Sequence, residues 1–262
     1  KAFQESRQLA TTGELDSDTF QRLSAESGGL VPLTMYELTD ADVAGPFTPE
    51  IPSDLMEQSK LQALGYRTPL EAIAEKFHAS PMLLKQLNPG ATFAGAGDRI
   101  TVPNVTVTEP APAPEPARGR GRRRGRGNAP VGTTGTQGPT IYVTKATSAL
   151  TVEDPTGKVL FYAPVTSGSE HDPLPIGSWK VTGVQPNPAF HYNPELFWDA
   201  NAAHSKAKIP PGPNNPVGVL WIDLTKPHYG IHGTPEPSQI GHVESHGCVR
   251  LTNWDAERVA AW

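Results

Sequence analysis

Cysteine is almost absent from this chain. Cys248 stands alone among 262 residues, so no disulfide can close within it. That leaves the redox compartment open, since a secreted protein can keep a free thiol when the thiol is catalytic. No apolar run approaches the roughly 20 residues that a membrane helix needs. No signal peptide precedes Lys1 either, but the chain opens in mid-motif without an initiator methionine, as a fragment would, so that absence is uninformative. Basic residues do not dominate: 22 Lys and Arg against 27 Asp and Glu leave a mildly acidic chain of net charge −5.

What is present divides the chain by composition. With 37% hydrophobic residues it can hold one sizeable core and one or two small ones. Residues 106–139 carry a Pro/Ala run, then alternating Arg and Gly from Arg118 to Arg126, then Gly, Thr and Asn. Such a composition cannot bury a core and reads as a disordered linker. Arg/Gly blocks can bind RNA, but no aromatic interleaves this one. A solvated cationic tether is the better reading, and no nucleic-acid partner is expected.

The lone thiol sits in Ser245-His246-Gly247-Cys248-Val249-Arg250-Leu251, downstream of Ile231-His232-Gly233-Thr234. A thiol becomes a nucleophile when something deprotonates it, and imidazole is the usual partner. His228, His232, His242, His246 and Cys248 also form a dense His/Cys cluster, and His228 and His232 match the i, i+4 spacing of a helical zinc site. Pro227, Gly230 and Gly233 make this segment a strand entering a loop, where i and i+4 lie too far apart to share an ion. The expectation is therefore an enzyme without metal or cofactor. Small residues flank Cys248 on both sides and suit a sharp turn.

These strings resemble the active-site signature of the YkuD-type L,D-transpeptidases. The resemblance extends over residues 140–262, through Pro175-Ile176-Gly177-Ser178-Trp179 and Pro210-Pro211-Gly212-Pro213-Asn214-Asn215-Pro216-Val217-Gly218. It implies Cys248 as nucleophile and His232 as base, with the Gly233 carbonyl fixing the imidazole tautomer in place of an Asp. Backbone N–H groups of Gly247 and Cys248 would form the oxyanion hole. Arg250, His246 and Tyr229 are the substrate-binding candidates. A guanidinium fork suits a carboxylate, although a structural salt bridge is the alternative for Arg250. Ser245 is expected to bond its own loop, and His242 to be exposed. Trp221, Trp198 and Tyr192 are candidates for the cleft wall, but core packing is the favoured reading for at least two of them.

The resemblance further implies 3→3 cross-linking of peptidoglycan tetrapeptide stems through a cysteine acyl-enzyme, with release of D-alanine. The alternatives are an L,D-carboxypeptidase, a lipoprotein-anchoring transferase, or a peptidoglycan-binding scaffold without activity. It places the protein in the periplasm or cell envelope, peripherally on the wall, in cell-wall organisation and cell shape. No protein partner is evident.

Ile141 to Val143, Ala149 to Val152, Val159 to Val165, Trp179 to Val181 and Gly218 to Leu224 read as strands. A helix follows, with Asn253 and Asp255 as N-cap candidates. The fold class expected is a mainly β catalytic domain, a YkuD-like β-sandwich, with small α and α/β N-terminal modules. Relatives of this fold continue into another strand, so residues 140–262 are expected to be C-terminally truncated. Upstream, Leu70, Ile73, Ala74 and Phe77 share a helical face, Pro81 restarts a helix with Leu83, Leu84 and Leu87, and residues 97–103 read as a strand. With "LNPG" and "GDRITVP", residues 60–105 resemble a LysM-like module whose first strand is hard to see. Residues 1–25, with a "TGELD" turn and an Asp or Ser cap, resemble part of a peptidoglycan-binding helical domain.

Overall fold

The computed structural model describes residues 1–105, 138–242 and 245–262. Nearly all of the expected linker lies outside those residues. In the first part, α1 (Ala2–Ser6) and α2 (Ser17–Glu26) are tied by a buried amide. Gln4 donates from Nε2 to Thr12, Glu14 and Thr19 oxygens and accepts from the Gly13 N–H, so its burial leaves neither end unpaired. Asp16 caps α2 by accepting from the Thr19 N–H at 2.8 Å.

The next unit contains β1 (Leu33–Glu37), α3 (Asp40–Val43), α4 (Leu55–Gln58), α5 (Pro69–Lys76), α6 (Pro81–Leu87) and β2 (Arg99–Pro103). Thr68 and Ser80 cap α5 and α6, each with a proline in the first turn, where its missing N–H costs nothing. Strands β1 and β2 pair antiparallel, Leu33 opposite Pro103 and Glu37 opposite Arg99. The first strand thus lies well upstream of residue 60. Leu38, Ile73, Phe77, Leu84, Phe93, Ile100 and Val102 form the core. Leu83 is exposed, because adjacent residues on a short helix cannot both face that core. Asn88 bonds both backbone groups of Thr101, so the "LNPG" asparagine fastens the end of α6 to β2.

The second half is built from β3 (Thr140–Thr144), β4 (Ala149–Glu153), β5 (Val159–Pro164), β6 (Val181–Pro186), β7 (Phe190–Tyr192), β8 (Ala207–Ile209), β9 (Leu220–Leu224), β10 (Gly230–His232), β11 (Val249–Arg250) and α7 (Asn253–Ala260). It is mainly β, as expected. A three-stranded sheet β3-β4-β5 and a four-stranded sheet β11-β10-β9-β6 share one core, and β7 and β8 form a separate hairpin. Leu150, Val152 and Ala163 from the first sheet meet Ile222, Ile231 and Val249 from the second, with Ala256 and Val259 of α7.

The cap of α7 corrects the sequence reading. Thr252 is the N-cap, accepting from the Asp255 N–H at 3.1 Å. Asn253 instead accepts from the Val219 N–H at 3.1 Å. Its Oδ1 passes between two glycines: a Cβ would lie 2.0 Å from it at Gly218 and 2.1 Å at Gly233. The side chain is thus spent on holding the strand that leads into the site.

The two halves touch. His78 stacks on Trp254 of α7 at 5.0 Å between ring centroids. Asn214 donates to the Gly65 carbonyl and accepts from Arg67. Leu64 passes so close to Gly212 that a Cβ there would sit 2.1 Å from the Leu64 carbonyl oxygen.

Candidate active site

The site begins with one short parallel pairing. Strand β10 runs beside β11 with His232 opposite Arg250, and antiparallel to β9 with His232 opposite Trp221, which itself lies opposite Gln185 of β6. Gln185, Trp221, His232 and Arg250 therefore form one row across the sheet. Side chains in register point to the same face. Cys248, two residues before Arg250, joins that face at the end of β11. Beyond β11, Thr166 and Arg250 exchange backbone hydrogen bonds of 3.1 and 2.8 Å, so the Arg250 strand is held on both edges.

A cleft of about 880 Å³ opens on this face. Cys248, His232, Arg250, His246 and Tyr229 all line it. Gly233 and Gly247 are not part of the lining; both are buried behind it. His232 Nδ1 sits 2.7 Å from the Gly233 carbonyl oxygen. A carbonyl can only accept, so Nδ1 carries the hydrogen and Nε2 keeps its lone pair. Trp221 stacks on the ring at 5.3 Å and fixes its plane.

Burial sets the protonation states. It pushes the imidazole down to about 3, with the nearby Arg250 charge acting in the same direction and the Gly233 hydrogen bond opposing. Burial also pushes the Cys248 thiol up, against smaller opposing effects from the Gly230 backbone and Arg250. The resting pair is thus a neutral thiol and a neutral imidazole. The thiol contacts the His228 carbonyl at 3.8 Å. Burial lowers the Arg250 guanidinium as well, and its Nε has no hydrogen-bond partner among the described residues.

The loop before the thiol is shaped by two contacts. Ser245 donates to the Cys248 carbonyl at 2.6 Å, closing the turn. Gly247 adopts φ +96°, and a Cβ on it would lie 2.5 Å from Tyr229 Cε1. Tyr229 is held in turn by the Lys226 ammonium, 4.7 Å from its ring centre. Gly247→Ala is accordingly expected to cost roughly 1–3 kcal/mol of stability through strain and the clash. A thermal melt beside a turnover assay checks this; a wild-type melting temperature would contradict the close approach.

Other candidates are placed differently. His246 bonds Asp199 at 2.9 Å and packs on Phe197 near the mouth. His242 is exposed, and His228 sits in the turn before β10 at φ +67°. Of the three aromatics, only Tyr192 packs into a core. Trp221 covers His232, and Trp198 is 61% exposed, stacked on His171. The expectation that at least two are core residues is therefore corrected. The reason for Trp221 was available in its strand: Leu220, Ile222 and Leu224 alternate with Trp221 and Asp223, which fall on the opposite face. There Trp221 Nε1 donates to Asp223 at 2.6 Å, and Gln185 donates to the same carboxylate at 2.8 Å. Sequence reasoning did not single out Gln185, Asp223 or Asp199. Nor did it find Leu55, which reaches the cleft from the first half of the chain.

A lone thiol, an oriented neutral imidazole and a guanidinium whose Nε has no partner among the described residues share one sheet face and define a candidate cysteine–histidine acyl-transfer site. Residues 138–262 match the family model described as the L,D-transpeptidase catalytic domain, YkuD. This half of the chain is therefore similar to YkuD-type L,D-transpeptidase catalytic domains. The Bacillus licheniformis YkuD protein, an L,D-transpeptidase by name, is 49% identical over 51 residues, which are 20% of this chain and 31% of that protein. The Bacillus subtilis YqjB protein, likewise named, is 32% identical over 95 residues, 34% of this chain and 46% of the relative. The chain thus spans less than half the length of these curated relatives. Among solved structures, the L,D-transpeptidase of Stackebrandtia nassauensis aligns at 21% identity over 48% of this chain and 51% of its own, with a TM-score of 0.35.

Proposed function

We propose that the protein is an L,D-transpeptidase that forms 3→3 cross-links between peptidoglycan stems through an acyl-enzyme on Cys248. The observation that carries this reading is the shared face of Cys248, His232 and Arg250, produced by the parallel β10–β11 pairing at the floor of the cleft.

In the first half-reaction the Cys248 sulfur attacks the carbonyl carbon of the third stem residue while its proton passes to His232 Nε2. The S–C bond forms, and charge on the carbonyl oxygen is met by the N–H groups of Gly247 and Cys248. The C–N bond to the terminal D-alanine then breaks. His232 returns the proton to the leaving amine, and D-alanine departs. In the second half, an amine of a neighbouring stem attacks the thioester, His232 takes its proton, and the thiol is regenerated. The unpaired Arg250 Nε is suited to a substrate carboxylate, with Tyr229 and His246 bordering the same cleft. The residues present supply every proton transfer these steps need.

This chemistry belongs on the cell wall, in the periplasm or cell envelope. Residues 1–25 and 60–105 would serve there as a partial peptidoglycan-binding unit and a LysM-like unit, tethering the enzyme peripherally. No helix among the described residues is long and apolar enough to cross a membrane.

The test is mass spectrometry of a disaccharide-tetrapeptide incubated with the protein. A dimer lacking one D-alanine is the expected product. Tripeptide alone would make water the acceptor and the protein an L,D-carboxypeptidase, and a product formed only with a lysine-bearing lipoprotein would make it an anchoring transferase. Unchanged substrate from folded protein would leave a binding scaffold.

A further inference from the structure

One wall of the cleft is held in place from outside residues 138–262. The β7–β8 hairpin and its connecting loop, residues 190–209, border the cleft through Phe190, Tyr192, Phe197 and Asp199. This hairpin pairs with no other sheet. Its packing comes from the first half of the chain. Leu64, fully buried, forms a small core with Tyr192 and Ile209, and Ile51, Leu55 and Leu61 pack around it.

Polar contacts fix the same join at two points. The Leu64 N–H donates to the Pro211 carbonyl at 2.9 Å, and the Leu64 carbonyl accepts from the Asn214 N–H at 2.9 Å. Further along, Asp54 Oδ2 lies 3.2 Å from His204 Nε2, and His204 Nδ1 lies 3.1 Å from the Tyr192 hydroxyl. On its far side the hairpin loop reaches the nucleophile loop, through Asp199 and His246 at 2.9 Å. A continuous set of contacts therefore runs from residues 51–64, through the hairpin, to the residue two before Cys248.

We propose that residues 51–64 are a positioning strap of the cleft, holding the β7–β8 hairpin against the Cys248 loop so that the donor stem meets a preformed wall. A two-stranded hairpin has little stability of its own, so its place is set by what packs beneath it. The strap supplies that packing, and Leu55 extends it to the cleft surface. The segment touches neither Cys248 nor His232, so its effect falls on donor binding and not on the chemical step. The kinetic part of this inference rests on the transpeptidase reading above; the part concerning the hairpin does not.

Two variants of the full chain test it. Leu64→Ala removes the centre of the small core. Asp54→Ser keeps a good N-cap for α4, which Asp54 provides through the Met56 and Glu57 N–H groups, but is too short to reach His204. Cleavage within residues 193–206 by a broad-specificity protease is expected to quicken about tenfold in each, and alkylation of Cys248 to quicken with it. KM for the disaccharide-tetrapeptide is expected to rise about tenfold, with kcat held within about twofold, and Leu64→Met to restore both. Should Leu64→Ala fail to fold, Asp54→Ser decides the matter alone. Wild-type proteolysis and KM in a folded variant overturn the proposal, as does faster proteolysis with unchanged KM. If the wild-type protein turns over no donor, the transpeptidase reading falls. The strap is then judged by proteolysis and alkylation, and unchanged rates in both overturn it.

Discussion

Cys248→Ala is expected to fold normally and to lose D-alanine release and dimer formation by roughly 10⁴-fold or more. The side chain is partly exposed, and its only side-chain hydrogen bond among the described residues is the long contact to His228, so little stability depends on it. On the proposed mechanism the chemistry depends on it entirely, because the acyl group has nowhere else on this face to go. His232→Ala is expected to cost nearly as much, and the double variant little more than either single one, since both groups act in one proton-coupled attack. The protonation states add a second readout. The thiol is pushed above its ordinary value of 9.0 while the imidazole falls to about 3. Alkylation of Cys248 at pH 7 should therefore be slower than that of free cysteine and should climb toward alkaline pH. Dimer formation by Cys248→Ala would overturn the assignment. Rapid labelling near pH 6 would show a thiolate–imidazolium pair in place of the neutral one.

A stability gap between the wild-type protein and Glu75→Gln that widens as pH rises toward neutrality is the second expected result, and it comes from the join between the halves. Glu75 on α5 is half-buried beside α7 with its carboxyl enclosed, and burial of that carboxyl raises it from an ordinary 4.5 to about 7. Glu257 and Glu71 add like charge, while the Asn253 side chain opposes. One carboxyl oxygen, Oε1, has no hydrogen-bond partner among the described residues. In the unfolded chain Glu75 releases its proton near 4.5, whereas the folded protein keeps it to about 7. Between those values the folded state binds more protons at Glu75, so this group's contribution to stability falls as pH rises and levels off above about 7. His232, held down to about 3, acts in the opposite direction in both proteins and cancels from their comparison. Two and a half pH units correspond to about 3 kcal/mol. Glu75→Gln cannot carry the charge. It is expected to gain on the wild-type protein by up to about 3 kcal/mol between pH 4 and pH 8. Melting curves of both proteins across that range decide the point, and parallel curves would show that Glu75 is not buried as described.

Several of these features were legible in the residues. The Cys248 string, the alternation in β4 and β9, and the prolines and caps that start α5 and α6 are local patterns, and local periodicity follows from backbone geometry alone. The first strand of the β1–β2 unit was not legible. Its partner lies more than sixty residues away, and the apolar residues that alternate in it, Leu33 and Met35, are 39% and 61% exposed, so the alternation does not mark a core-facing side. Thr252 and Asn253 show the same limit. Both are good capping residues, and only the approach of Gly218 and Gly233 decides which side chain is free to cap.

Residue type and short spacing were enough to single out the candidate nucleophile, the histidine candidates and the mainly β character of the second half. The tertiary structure decided which residues share the thiol's face. The row Gln185–Trp221–His232–Arg250 exists only through strand register, which joins four segments spread over more than sixty residues. It also decided that Asp54, Leu55 and Leu64 stand behind the cleft and that Glu75 is closed against α7. Those placements arise from packing between distant segments, where burial and shape select partners that no local pattern encodes.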